Sequence, residues 1–184
     1  GLNNLPPGVE RYVVEAGGLT GIQVLPDDEI EIINNEGNQI CEISVFNKDG
    51  KSELAILGLK EIKDNSEIKK ILFKKDETSL QALLQLKKRN LNIEKSKSSI
   101  IFDKDTKAGE SIKLKSKDKC YCIFAAPGKQ MLVHEQNPST ELTVMVKRSE
   151  VKKEKEFSII PDPIYDPSVE RNIARTTSIE IGRS

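Results

Sequence analysis

TGIQVLPDDEIEIINNEGNQICEISVF, Thr20–Phe46, sets the fold class. It breaks into three short apolar segments at Pro26-Asp27-Asp28 and at Asn34-Asn35-Glu36-Gly37. Proline fixes φ, while Asn and Gly tolerate positive φ, so both breaks carry turn chemistry. Within EIEII, Ile30 and Ile32 point one way and Glu29 and Glu31 the other. Such period-2 alternation belongs to a sheet with one buried face. Upstream, VERYVVEAGG reads as a further strand that Gly17-Gly18 ends.

The period then changes. In NSEIKKILFKK, Ile68, Ile71 and Leu72 fall at i, i+3 and i+4, with Asn65 or Ser66 as N-cap. In TSLQALLQLKKRN the apolar stripe is Leu80, Leu83, Leu84 and Leu86, with Thr78 or Ser79 as cap. Lys87-Lys88-Arg89 suits the negative end of a helix dipole, and Asn90 can end the helix. Two short amphipathic helices are therefore predicted near 65–90. The basic run could hold a phosphate, but no aromatic or Gly-rich loop accompanies it, which favours a solvated helix end. Strands resume in SSIIF, ESIKLKS, KCYCIFAA and TELTVMVKR, the last three read as one sheet segment with a hairpin-like break at Pro127-Gly128.

These patterns predict a mainly β domain over residues 5–149, a barrel or sandwich. Residues 150–184 form a second region: the charge run EVKKEKEF, the proline-spaced IIPDPIYDP and the strand-like VERNIARTTSIEI. Such composition reads as a linker or extended arm, then a lead-in strand to a further domain.

Composition narrows the function classes. Of 184 residues, 29 are basic and 29 acidic, so no net field favours nucleic acid or an anionic membrane. Aromatic content is 4% with no Trp, which argues against a base-stacking platform. The opening GLNNLPPGVERY lacks the basic and apolar regions of a signal peptide. The three cysteines show no disulfide framework, and a cytoplasmic location is the expectation.

Candidate chemistry is sparse. His134, the single histidine, adjoins Glu135, but neighbours on an extended segment face opposite ways and do not form a dyad. No phosphate-binding glycine loop is present. Cys120 and Cys122 should share one strand face, and with Cys41 and His134 could in principle hold zinc. Cys-x-Cys without a second paired motif is not a zinc spacing, so buried core cysteines are favoured. An i, i+2 disulfide is disfavoured by strand geometry. Asn137-Pro138-Ser139-Thr140 reads as a turn bonded to itself and Gly37-Asn38-Gln39 as a hairpin turn with a polar exit, or else the two serve as loops of a binding or enzymatic site for a small amine or carboxylate. The ligand-binding reading names Gln39, His134, Asn137 and Thr140; no catalytic or metal residue is assigned.

LPPGVERYVVEAGG, IEIINNEGNQICEISVFNKDGKS and AAPGKQMLVHEQNPSTELTVMVKR together resemble the first domain of large aminomethyltransferase-like proteins, relatives of the glycine-cleavage T-protein. The tail IPDPIYDPSVERNIARTTSIEI resembles the lead-in to a urea carboxylase-associated domain, and EGNQICEI resembles that domain's own EGxQ hairpin. Val169-Glu170-Arg171 repeats Val9-Glu10-Arg11. The resemblance implies that this chain is a diverged copy of the urea carboxylase-associated domain. That family carries an Arg-His-Asp-Thr stretch followed by Cys, which is absent here, and Glu42 stands where its hairpin has Asp. The resemblance thus implies a non-catalytic scaffold domain with no cofactor of its own, in a parent that uses tetrahydrofolate for one-carbon or methylamine metabolism. Expected partners are other domains of the same chain or a second copy, not nucleic acid or membrane.

Overall fold

The computed structural model describes residues 5–60, 62–128, 138–149 and the backbone of 179–181. Ten strands, two α-helices and a short 3-10 turn (Leu54–Leu57) are described: β1 (Val9–Val14), β2 (Leu19–Val24), β3 (Glu29–Asn34), β4 (Cys41–Phe46), β5 (Lys63–Asp64), α1 (Ser66–Leu72), α2 (Glu77–Lys88), β6 (Lys97–Ile101), β7 (Ser111–Lys115), β8 (Cys120–Ala125), β9 (Leu142–Lys147) and β10 (Ile179–Ile181). They form two antiparallel sheets, one of order β1-β9-β3-β7 and one of order β10-β2-β8-β4-β6-β5. The domain is a sandwich, one of the two mainly β forms expected.

Burial follows from three layers. The four-stranded sheet has one buried face, so β3 alternates as EIEII requires, with Ile30 and Ile32 inside. The six-stranded sheet is covered on both faces, so β4 and β8 are buried at every residue. Cys41, Ile43, Val45, Cys120, Cys122 and Phe124 face the other sheet and join Val144 and Val146 in the core. Phe46, Tyr121, Ile123 and Ala125 face the helices and pack on Ile68, Leu72 and Leu86. Each large apolar side chain so buried contributes about 1.5–3 kcal/mol.

Several expectations need correction. The break at Pro127-Gly128 is not a hairpin: β8 and β9 belong to different sheets. The 34–40 loop likewise crosses between sheets, because β3 and β4 do not pair. Helix α2 starts earlier than read, capped by Asp76, whose carboxylate accepts the Ser79 amide at 2.7 Å. That bond draws the Asp76 carboxyl below its ordinary range. The inner face of α2 is Ser79, Ala82 and Leu86, while Leu80 and Leu84 are 50% and 57% exposed. Small residues let the helix lie close to the sheet, and this rotates the larger leucines outward. The linker and arm fall on 150–178, outside the described residues; β10 pairs with β2 at the edge of the larger sheet.

One end of the sandwich is fastened by ions. Arg148, at the end of β9, donates from Nη1 to Asp28 Oδ2 (2.7 Å) and to the Gln23 carbonyl (2.9 Å). Its Nε and Nη2 meet Glu10 at 3.1 and 2.8 Å. Asp28, wholly buried, also accepts the amides of Leu25 and Ser149, each at 2.9 Å. Removing one member of a buried, fully bonded ion group leaves an uncompensated charge. Arg148→Met should therefore lower unfolding free energy by about 3–5 kcal/mol. Urea denaturation measures this, and a loss below about 1 kcal/mol would show that the network is dispensable.

Candidate functional site

The opposite end of β3 leads into the 34–40 loop. Gly37 and Asn38 take positive φ (81° and 60°), as their residue types allow. A Cβ on Gly37 would meet the Thr106 carbonyl and Ala108 amide at 2.7 Å, so the loop is seated on backbone there. The turn delivers Gln39 to an interior position at 1% exposure.

Gln39 then joins three loops. Its Nε2 donates to the carbonyls of Pro127 (3.0 Å) and Ile40 (2.8 Å), and its Oε1 accepts the Thr140 amide at 2.8 Å. Asn34 Nδ2 donates to the Gln39 carbonyl at 2.7 Å. Of the four residues singled out from the sequence, the fold thus brings Gln39 and Thr140 into direct contact. His134 and Asn137 lie outside the described residues. Two polar atoms beside this junction, Thr140 Oγ1 and Asn34 Oδ1, are buried without a hydrogen-bond partner among the described residues. The hydroxyl donates or accepts and the amide oxygen accepts, which suits a small ligand bearing N–H or O–H groups.

The Gln39 amide is itself spent on protein partners, both donors and its acceptor engaged. Gln39→Ala should lower stability by about 2–4 kcal/mol, because buried carbonyls and an amide lose their partners. Chemical denaturation tests this, and a change below about 0.5 kcal/mol would refute the clamp.

Sequence reasoning missed the structural role of Glu42. It interrupts an apolar strand, which was the available signal, but its partner is remote in sequence. Glu42 is wholly buried on the helix-facing side of β4, and its Oε1 accepts the Ile68 amide at 2.8 Å. A carboxylate from the sheet thus caps the start of α1, where helix amides lack internal partners. Asn65 does occupy the N-cap position, one of the two expected, but its side chain donates to the Ile93 carbonyl and to Ser96 rather than capping. Burial raises the Glu42 carboxyl above its ordinary range; the amides of Ile68 and Glu67 and the Ser98 hydroxyl oppose this, and the Glu67 charge adds to it.

The sign of the pH effect follows. An acid whose folded pKa exceeds its unfolded value stabilises the fold while protonated. That contribution is whole below the ordinary value of 4.5 and is lost as pH rises through the folded value. Glu42→Gln should flatten this part of the pH–stability curve. Denaturation midpoints of both proteins from about pH 4 to about pH 8 test it, and parallel curves would show that Glu42 does not titrate there.

The cysteines behave as core residues. Cys41, Cys120 and Cys122 are free and buried. Cys120 and Cys122 do share a face, with sulfurs 3.6 Å apart. The hydrogen bond between the two sulfurs lowers the Cys120 thiol and raises that of Cys122, and burial adds to the rise at Cys122. Burial raises Cys41 as well. Among the described residues no three His, Cys, Asp or Glu side chains gather as metal ligands. Among them, too, no helix is long and apolar enough to cross a membrane.

No protein-family model matches the chain. Among solved structures it is similar to a DUF1989 family protein from Silicibacter pomeroyi DSS-3, with 12% identity and a TM-score of 0.42 over 78% of this chain and 80% of that one, a level that assigns no fold. The chain is also similar to the trimethylamine-oxide aldolase of Ruegeria pomeroyi, with 32% identity over 176 residues, 95% of this chain; it spans 22% of the length of that relative.

Proposed function

We propose that this chain is a non-catalytic N-terminal scaffold and interaction domain of a larger amine-metabolising enzyme. The similarity to trimethylamine-oxide aldolase carries the proposal, because it runs over 95% of this chain yet accounts for 22% of the relative. The parent is read as an aminomethyltransferase-like protein with trimethylamine oxide or a related methylamine as substrate. Tetrahydrofolate belongs to a module outside this chain, and no residue here is assigned to it. EGNQICEI and the Val9/Val169 echo support descent from a urea carboxylase-associated domain.

Deleting this region from the longer protein tests the proposal. Single-turnover breakdown of trimethylamine oxide should persist in the remainder, with assembly or throughput reduced. Loss of the chemical step, with the remainder still folded by circular dichroism, contradicts it.

A second reading rests on the buried Thr140 Oγ1 and Asn34 Oδ1, which have no partner among the described residues. In it, the Gln39 junction holds a small amine or carboxylate. Calorimetric titration separates the two, with dimethylamine as the N–H donor and with trimethylamine oxide and acetate as acceptors that only the Thr140 hydroxyl can meet. Saturable heat that Thr140→Val abolishes favours the pocket, and flat titrations leave the scaffold.

A further inference from the structure

Helix α2 carries more apolar surface than the domain uses. Four of the five large hydrophobic side chains left exposed among the described residues fall between 62 and 84: Ile62, Phe73, Leu80 and Leu84. Leu80 and Leu84 are one turn apart on the outer face of α2, and Phe73 is 40% exposed at the end of α1. Phe73 also lines an open groove of about 550 Å³ together with Leu83, Leu91 and Ile93, and with Lys87 and Glu94 among its polar lining. Scattered exposed leucines need no explanation; exposed leucines one turn apart on a helix that also lines a mixed apolar and polar groove have the anatomy of an interface.

Two observations identify the occupant. The first is length: 78% of the trimethylamine-oxide aldolase relative lies outside the part that this chain spans. The second is position. Strand β10 pairs with β2 through Ile179–Gly21 and Ile181–Leu19, and lies against α2. A polypeptide continued past β10 therefore starts against α2, the helix that carries Leu80 and Leu84.

We infer that the outer face of α2, with Phe73 and the adjoining groove, is the docking surface for the module that follows this domain in the same polypeptide. The inference rests on the proposed reading of the chain as part of a longer enzyme. Leu80 and Leu84 are anchors at the centre of the contact, and Lys87 and Glu94 sit on its rim, where charge sets orientation more than affinity.

Maleimide labelling of single introduced cysteines tests it, since the three native cysteines are buried. Leu84→Cys, Leu80→Cys and, as a control on the other sheet, Lys113→Cys are each placed in the 184-residue chain and in the full-length protein. The expected result is labelling at positions 80 and 84 slowed at least about tenfold in the full-length protein only, with the control unchanged. Equal, fast labelling at both positions in both proteins overturns the inference and leaves the longer-enzyme reading standing. Equal, slow labelling overturns it as well, because the face is then covered by this chain or by a second copy, which gel filtration at two concentrations tells apart. A reading frame that ends at Ser184 removes the longer enzyme itself, and the inference with it.

Discussion

The buried charge of Asp28 is the constraint on which the sandwich depends. An isolated carboxylate in an apolar interior costs far more than a domain can offset, so its partners must arrive together. Arg148 brings the end of β9 to Asp28 and in turn bonds Glu10 on β1 and the Gln23 carbonyl on β2. Strands of both sheets are therefore held at one point. At the far ends of β3 and β9 the neutral junction of Asn34, Gln39 and Thr140 makes a second fastening. A six-residue strand separates the two by roughly 20 Å. Between them the sheets need only apolar packing, and that is what the alternation on β3 and β9 supplies.

The third layer answers a different demand. Strands β4 and β8 are apolar on both faces, so the larger sheet must be covered twice. The two helices supply the second cover, and Glu42 joins α1 to the sheet beneath it. Gly21 shows how close this packing is. A side chain there would run into Tyr121, whose ring lies 4.2 Å beneath the Arg89 guanidinium. Small residues at the contact, Ser79 and Ala82, let α2 settle, and its larger leucines turn outward.

Much of the fold was legible because periodicity is local. EIEII announced a half-buried strand, and both helices were recognisable from their apolar spacing, although the cap of α2 lies at Asp76 and the side chain that caps α1 is Glu42. Connectivity was less accessible, since a turn sequence says that a chain reverses without saying which sheet it enters. For that reason Pro127-Gly128 read as a hairpin and is a crossover. The α2 face misled for a related reason: hydrophobicity marks what a helix can bury, not what its neighbour leaves room for. At the candidate site, Gln39 and Thr140 were named and do meet. Arg148, Glu10 and Asp28 were not read as a group, because residues 10, 28 and 148 converge only in three dimensions. Glu42 was noted as a family difference, yet its link to α1 rests on an amide 26 positions away.

On the proposed reading, the two fastened sheets, the clamped polar junction and the outward apolar helix hold a further module of the same polypeptide in place. Cross-linking mass spectrometry of the full-length protein measures this most directly. Lysines mark both sides: Lys87 and Lys88 on α2, and Lys113 and Lys115 on β7 of the opposite sheet. The expected result is that links to the following module come from α2. Links that come mainly from β7, or none to any other module, would contradict the account.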